Sequence, residues 1–192
     1  MDIVFATHNA HKRGEVEAIM KKAWSEVSLV PPAGEPPAED GSTFAENALI
    51  KARAAFAATG IPSIADDSGI CVDALGGEPG IHSARYSGSG DDQENLDLLL
   101  RNLEGVDQRS AYFVCVAAFV DQDGERTIEK RWHGQIAQRA HGGGGFGYDP
   151  IFEPEGLGKT AAELSADQKN EISHRGQAFV TMATFLRGHF GA

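Results

Sequence analysis

The 192-residue chain reads as a mixed α/β protein, with an elongated central sheet flanked by helices. Three observations predict this class. Tyr112 to Val120 is apolar at both alternating sets of positions, the pattern of a central strand covered on both faces. Thr43 to Thr59 places Phe44, Ala48, Ala52 and Ala55 on one helical face, widened by Ala45, Leu49 and Phe56. A turn signal, Asp121-Gln122-Asp123-Gly124, joins the central strand to Glu125–Ile136 as a hairpin. Hairpins interleaved with helices break the strict βαβ alternation of a doubly wound sheet, so a mixed sheet is predicted.

The elements follow in order. Ile3 to Ala6 is a short buried strand, turned by Thr7-His8-Asn9-Ala10 into a polar helix that runs to about Trp24. Glu26 to Val30 is a second strand. Pro31 to Gly41, rich in proline and glycine, is a loop. After the Thr43–Thr59 helix, Gly60 and Pro62 stop the chain. Ser63-Ile64-Ala65 and Ile70-Cys71-Val72 are expected as two strands separated by Asp66-Asp67-Ser68-Gly69. Leu75 to Gly90 is irregular, and Asp91 to Leu103 is a helix capped by Asp91 or Ser89. Gly142 to Gly147 is a glycine loop. The last helix begins near Ser173 and turns Phe179, Met182, Ala183 and Leu186 inward.

Composition narrows the function classes. The length suits a single domain, residues 1–192, or two closely joined lobes. A formal charge of −11 with no Lys/Arg run argues against DNA or RNA as partner. No apolar window reaches membrane-spanning length. Met1-Asp2-Ile3-Val4-Phe5 leads directly into a strand without a basic segment, which points to the cytoplasm. Cys71 and Cys115 each lie in apolar stretches and are expected as buried hydrophobes.

Several segments carry candidate chemistry. Thr7, His8, Asn9, Ala10, His11 and Lys12 form a strand-to-helix turn. Free N–H groups there attract anions, although Thr7 or Asn9 could simply cap the helix with Lys12 in solvent. Glu39-Asp40 and Asp66-Asp67 supply carboxylates suited to a hard cation such as magnesium; the alternative for Asp66-Asp67-Ser68-Gly69 is a tight Asx turn with Gly69 at positive φ. Asn47 and Lys51 share the border of a helix stripe, from which they can reach a site. In the run Gly142 to Pro150, Phe146 sits among glycines, where it either stacks on a base or tucks into the core, and Asp149 can read a base edge. Lys169, with His174 and Arg175 in the first turn of the last helix, places cations where the helix end disfavours them, a local conflict of the kind that marks sites.

At these residues the chain resembles the inosine triphosphate pyrophosphatase family, also called XTP/dITP pyrophosphatases. The resemblance runs through Ala6-Thr7, Asn9 and Lys12, then Thr43-Phe44, Glu46-Asn47-Ala48 and Lys51-Ala52, then Ala65-Asp66-Asp67-Ser68-Gly69 and Ser83-Ala84-Arg85-Tyr86. It ends with Gly145 to Phe152, Lys159-Thr160, Ala162-Glu163-Leu164, Lys169 and Ile172-Ser173-His174-Arg175. The resemblance implies two lobes with the active site in the cleft between them, and a homodimer. It implies magnesium-dependent hydrolysis of non-standard purine nucleoside triphosphates to the monophosphate and pyrophosphate.

By position, the resemblance makes Thr7 through Lys12 a phosphate-binding turn and Lys51 a phosphate contact. Glu39 and Asp67 become metal ligands, with Asp40 an alternative to Glu39. Asp67 is also the general base, and Ser68 an adjacent substrate contact. Phe146 becomes the stacking aromatic within a substrate-binding Phe146-Gly147-Tyr148-Asp149 run, and Lys169, His174 and Arg175 stand at the purine end. His8 and the proline-rich approach to Glu39 depart from the family pattern. Competing expectations are a pyrophosphatase for modified pyrimidine or methylated nucleotides, a phosphomonoesterase, and a nucleotide sensor without turnover.

Overall fold

A computed structural model describes residues 1–191. Six strands make one sheet in the order β2-β1-β3-β4-β5-β6: β1 (Asp2–Phe5), β2 (Ser28–Val30), β3 (Ser63–Val72), β4 (Ser110–Asp121), β5 (Gly124–Ile136) and β6 (Phe152–Pro154). β1 runs parallel to both β2 and β3, whereas β5 and β6 are antiparallel. The sheet is therefore mixed, as the patterning predicts. Among the described residues, five α-helices accompany it: α1 (Ala10–Ala23), α2 (Phe44–Thr59), α3 (Asp92–Asn102), α4 (Ala166–Ile172) and α5 (His174–Phe190).

Local chemistry sets the helix ends. Asn9 caps α1 by accepting the Lys12 N–H. Thr43 and Glu46 form a reciprocal capping box on α2, and Gly60 ends that helix in the left-handed region at φ 67°. Asp91 is the cap of α3.

The chain divides into two compact units. The first comprises Met1–Asp67, Cys115–Lys130 and the segment from Arg175 onward; the second comprises Ser68–Val114 and Arg131–His174. The first core gathers Phe5, Ile64, Phe119, Phe179, Met182 and Leu186, with Phe5 and Phe179 packed edge to face at 5.6 Å. The second gathers Ile70, Leu96, Leu99, Phe113, Trp132 and Phe152. Phe179, Met182, Ala183 and Leu186 are all fully buried, as their helical spacing requires. Cys71 and Cys115 are free thiols, both buried.

Three sequence expectations change. The two strands expected on either side of Asp66-Asp67-Ser68-Gly69 are a single ten-residue strand, β3. Gly69 does not take a positive φ, which removes the Asx-turn reading. Both acids therefore project from continuous sheet, and their apparent turn composition reflects burial of polar groups in a strand. The second strand is shorter than expected, because Val27 N–H turns back to the Trp24 carbonyl and pairing starts at Ser28. β6 and α4 were not visible in the sequence: β6 has three residues, and α4 is a seven-residue helix.

Candidate functional site

The first unit holds a cluster of buried charges. It begins at the N-terminus of α1, where β1 delivers Thr7 into the turn. Thr7 is buried, and its Oγ1 accepts the Asn9 N–H at 3.2 Å. Ala10 and His11 lie exposed in the first turn, and His8 Nε2 stands 3.4 Å from the Gly34 carbonyl. Lys12 is not in solvent. Its Nζ lies 3.1 Å from Asp66 Oδ2.

Asp66 is almost fully buried in β3 and also receives Arg175, whose Nη2 lies 3.5 Å from the same Oδ2. The other tip of Arg175, Nη1, is 2.7 Å from Glu15 Oε2 on α1. Burial opposes ionisation of Asp66, but Lys12, Arg175 and Lys51 outweigh it and hold this carboxyl well below the usual range. The same balance works in reverse on Arg175. Burial disfavours its charge, yet Asp66 and Glu15 raise its pKa.

Asp67 faces a different set. Its Oδ1 lies 3.6 Å from Lys51 Nζ, and its Oδ2 accepts a hydrogen bond from Asn47 Nδ2 at 3.3 Å. Asn47 and Lys51 sit four residues apart on α2, on the stripe border that the sequence marks for them. Lys51 Nζ also donates to Glu39 Oε2 at 3.1 Å. Glu39 is half-buried, while Asp40 is exposed. Burial pushes the Asp67 carboxyl above its ordinary value, with Lys51 and Lys12 pulling the other way. On Lys51, burial lowers the pKa, but Asp66, Asp67 and Glu39 together raise it. Two neighbouring strand acids are thus driven in opposite directions.

Hard carboxylate oxygens from Glu39 and Asp67 converge on one ammonium, and that donor chemistry fits a hard divalent cation.

The second unit holds the glycine loop. Asp149 is buried and points back into its own loop: Oδ2 accepts the Phe146 N–H at 2.9 Å and the Lys169 ammonium. Lys169 also lies over the Phe146 ring, 4.9 Å from its centroid. Phe146 is half-buried, neither in the core nor fully bare. Gly147 N–H donates to Asp92 on α3 at 3.0 Å, and Tyr148 Oη donates to the Ser83 carbonyl at 2.8 Å. His174 is buried, stacked 4.7 Å from the Phe113 ring and 6.2 Å from that of Trp132. Ser68 is half-buried.

The residues singled out from sequence thus fall into two sets. Lys12, Glu39, Lys51, Asp67 and Arg175 are brought together in the first unit, with Asp66 at their centre. Phe146, Asp149 and Lys169 meet in the second. Asp149 Oδ2 takes the Phe146 N–H and the Lys169 ammonium, and Arg175 pairs with Glu15 and Asp66. Sequence reasoning missed Glu15 and Asp92. Only the i,i+3 spacing of Lys12 and Glu15 hinted at the former.

Asp121, Asp123 and His189 also offer ligand atoms within 4.8 Å of one another. Asp121 already accepts the Asp123 and Gly124 N–H groups and contacts His189 Nε2 at 2.7 Å, which closes the β4–β5 turn against the end of α5.

This fold and its two charged sets define a mixed α/β protein with ionised groups buried at the heart of its first unit. Residues 3–185 match the model of the Ham1 family, and the chain belongs to that family. It is 49% identical to a dITP/XTP pyrophosphatase of Streptomyces avermitilis, over 98% of each chain. It is 50% identical to one from Leifsonia xyli, covering 96% of this chain and 95% of the relative. The solved structure of a HAM1 protein from Coxiella burnetii superposes with a TM-score of 0.89 at 40% identity, covering 98% of this chain and 99% of the other. The Staphylococcus aureus Ham1 protein gives 0.88 at 40% identity, over 98% and 100% respectively.

Proposed function

We propose that this protein hydrolyses non-standard purine nucleoside triphosphates, such as dITP, ITP and XTP, to the monophosphate and pyrophosphate. The observation that carries the reading is the pair of β3 acids with opposed environments, Asp66 locked as a carboxylate by cations and Asp67 beside Lys51 and Glu39. Full-length likeness to relatives named dITP/XTP pyrophosphatase supplies the substrate class.

Lys12 and Lys51 neutralise phosphate oxygens, helped by the positive end of the α1 helix dipole. Asp67 orients the attacking water and takes its proton. Burial makes it a stronger base than an ordinary carboxylate, and the Asn47 amide fixes its second oxygen. Water attacks the α-phosphorus, its proton passes to Asp67, and the bond to the bridging oxygen breaks to release pyrophosphate. Glu39 and Asp67 would hold magnesium, which when bound supplies positive charge to the phosphates. Phe146, with Lys169 over its ring and Asp149 on its N–H, is the candidate to stack on the base. The wider reading takes in a cytoplasmic homodimer; among the described residues no helix is long and apolar enough to cross a membrane.

The test is product analysis on a panel of nucleoside triphosphates with and without magnesium. Pyrophosphate and inosine monophosphate from inosine triphosphate are expected, with adenosine triphosphate a poor substrate. Asp67→Asn should lower kcat at least about a hundredfold, at the low end of what general-base catalysis contributes. Orthophosphate as the product, or wild-type turnover by Asp67→Asn, would refute the reading.

A further inference from the structure

We infer that Asp92 is a positioning residue for the base end of the substrate, acting through the Gly147 N–H on the orientation of the Phe146 ring. The inference rests on the proposed nucleotide substrate and adds a residue that touches neither phosphate nor base.

Phe146 stands between two glycines in the left-handed region, Gly145 at φ 69° and Gly147 at φ 59°. Glycine adopts either sign of φ at little steric cost, so neither neighbour fixes the backbone on its own. Gly147 is also open around its Cα, where a Cβ would meet nothing within 4 Å. The direction of the ring is therefore set by the two peptide planes that flank Phe146, and each of them donates to a carboxylate. On the near side, the Phe146 N–H donates to Asp149 Oδ2 at 2.9 Å. On the far side, the Gly147 N–H donates to Asp92 Oδ2 at 3.0 Å. The far plane has one further tie, the Phe146 carbonyl, which accepts the Asp149 N–H at a longer 3.2 Å.

The two carboxylates are differently placed. Asp149 is buried and belongs to the loop itself, whereas Asp92 is exposed and lies in the first turn of α3. That helix already has its cap, because Asp91 Oδ1 accepts the Glu94 N–H at 2.9 Å. A second acid in the turn adds only the general attraction of the helix end, which Glu94 also supplies. The particular contact of Asp92 is with the glycine loop. Leu96 and Leu99 seat α3 in the second core, so this carboxylate is presented from a fixed element. Without it, the Gly147 N–H turns to water and the far plane rotates about soft glycine dihedrals. The Phe146 ring must then be ordered at the moment of binding, which weakens affinity.

The test compares Asp92→Ala, Asp92→Asn and Glu94→Ala, the last removing the other acid of the same helical turn. Two probes separate the ends of the substrate. One is steady-state kinetics on inosine triphosphate; the other is the calorimetric affinity of inorganic tripolyphosphate, which has phosphates and no base. Asp92→Ala should raise KM for inosine triphosphate about tenfold, the scale of one hydrogen bond to a charged group, and leave kcat near wild type. It should bind tripolyphosphate as wild type does. Asp92→Asn keeps an acceptor oxygen and should recover most of the loss, and Glu94→Ala should keep the wild-type KM. By amide hydrogen exchange, the Gly147 N–H should exchange faster in Asp92→Ala, while the Phe146 N–H on buried Asp149 keeps its protection.

An unchanged KM in Asp92→Ala overturns the inference. An equal rise in Glu94→Ala does so too, because Asp92 would then act only through the stability of α3. A parallel loss of tripolyphosphate affinity would place the effect at the wrong end of the substrate and is equally fatal. Should Asp92→Ala not fold, as judged by circular dichroism, Asp92→Ser, too short to reach Gly147, carries the same comparison. Failure of wild type to release pyrophosphate from inosine triphosphate would sink the proposed substrate instead. Gly147 exchange would still decide whether Asp92 holds the loop, and unchanged exchange in Asp92→Ala would refute it.

Discussion

Replacing Lys169 with methionine removes the ammonium from Asp149 and keeps an unbranched apolar stem in its place. The pair is deeply buried, with side-chain exposures of 6% for Lys169 and 3% for Asp149. Removing one partner of a buried pair strands the other charge at a cost of about 3–5 kcal/mol. Asp149 keeps the Phe146 N–H at 2.9 Å, which places the expected loss near the lower bound. For a chain of this size, each kcal/mol moves Tm by roughly 2–4 °C, so Lys169→Met should melt roughly 6–12 °C below wild type. Urea titration and thermal circular dichroism at neutral pH measure it. The double variant Asp149→Asn/Lys169→Met has no stranded charge and should recover more than half of the loss. A Lys169→Met protein within about 1 kcal/mol of wild type, below the cost of any stranded buried ion, would refute the argument. So would a double variant no better than the single one.

Other outcomes follow from the same geometry. Gly145 has φ 69°, and a Cβ there would run into the Asp149 carboxylate. Gly145→Ala should therefore cost at least about 1–2 kcal/mol from the backbone alone and lower kcat/KM by loosening Phe146, measured by urea melts and steady-state kinetics. Arg109 donates to the carbonyls of Leu103, Ile136 and Ala137 at 2.8–2.9 Å, so Arg109→Met, leaving buried acceptors unpaired, should lose about 3 kcal/mol, and Arg109→Lys less. Burial pushes the Cys115 thiol from 9.0 up to about 12. Its contribution to stability is complete below the unfolded value and falls as pH rises from 9.0 towards 12, because only the unfolded thiol ionises there. Urea midpoints of wild type should therefore drop faster than those of Cys115→Ala across that range, and rapid reaction of native Cys115 with a thiol reagent would contradict it.

Periodicity located most elements because burial imposes it. The α2 stripe, the two-faced run in β4 and the inward face of α5 are all legible in this way. β3 was misread because Asp66 and Asp67 are polar residues inside buried strand, where the charges opposite them come from α1, α2 and α5, distant in sequence. The resemblance named Lys12, Glu39, Lys51 and Asp67, and these do assemble. It could not foretell that Arg175 is held by Glu15, since that contact spans 160 positions and neither residue type announces the other. The contacts of Asp149 Oδ2 with the Phe146 N–H and Lys169, beside the left-handed Gly145, are visible only in the folded loop.

The chain passes between its two units four times, so neither is an unbroken stretch. The unit that opens the sequence still needs Phe179, Met182 and Leu186 from α5 to seal its core, whereas the other is complete once His174 has been made. During synthesis, the part begun first is therefore finished last. Until then the ribosome presents an open apolar surface around Phe5 and Ile64, an exposure that makes the nascent chain a natural client for holding factors.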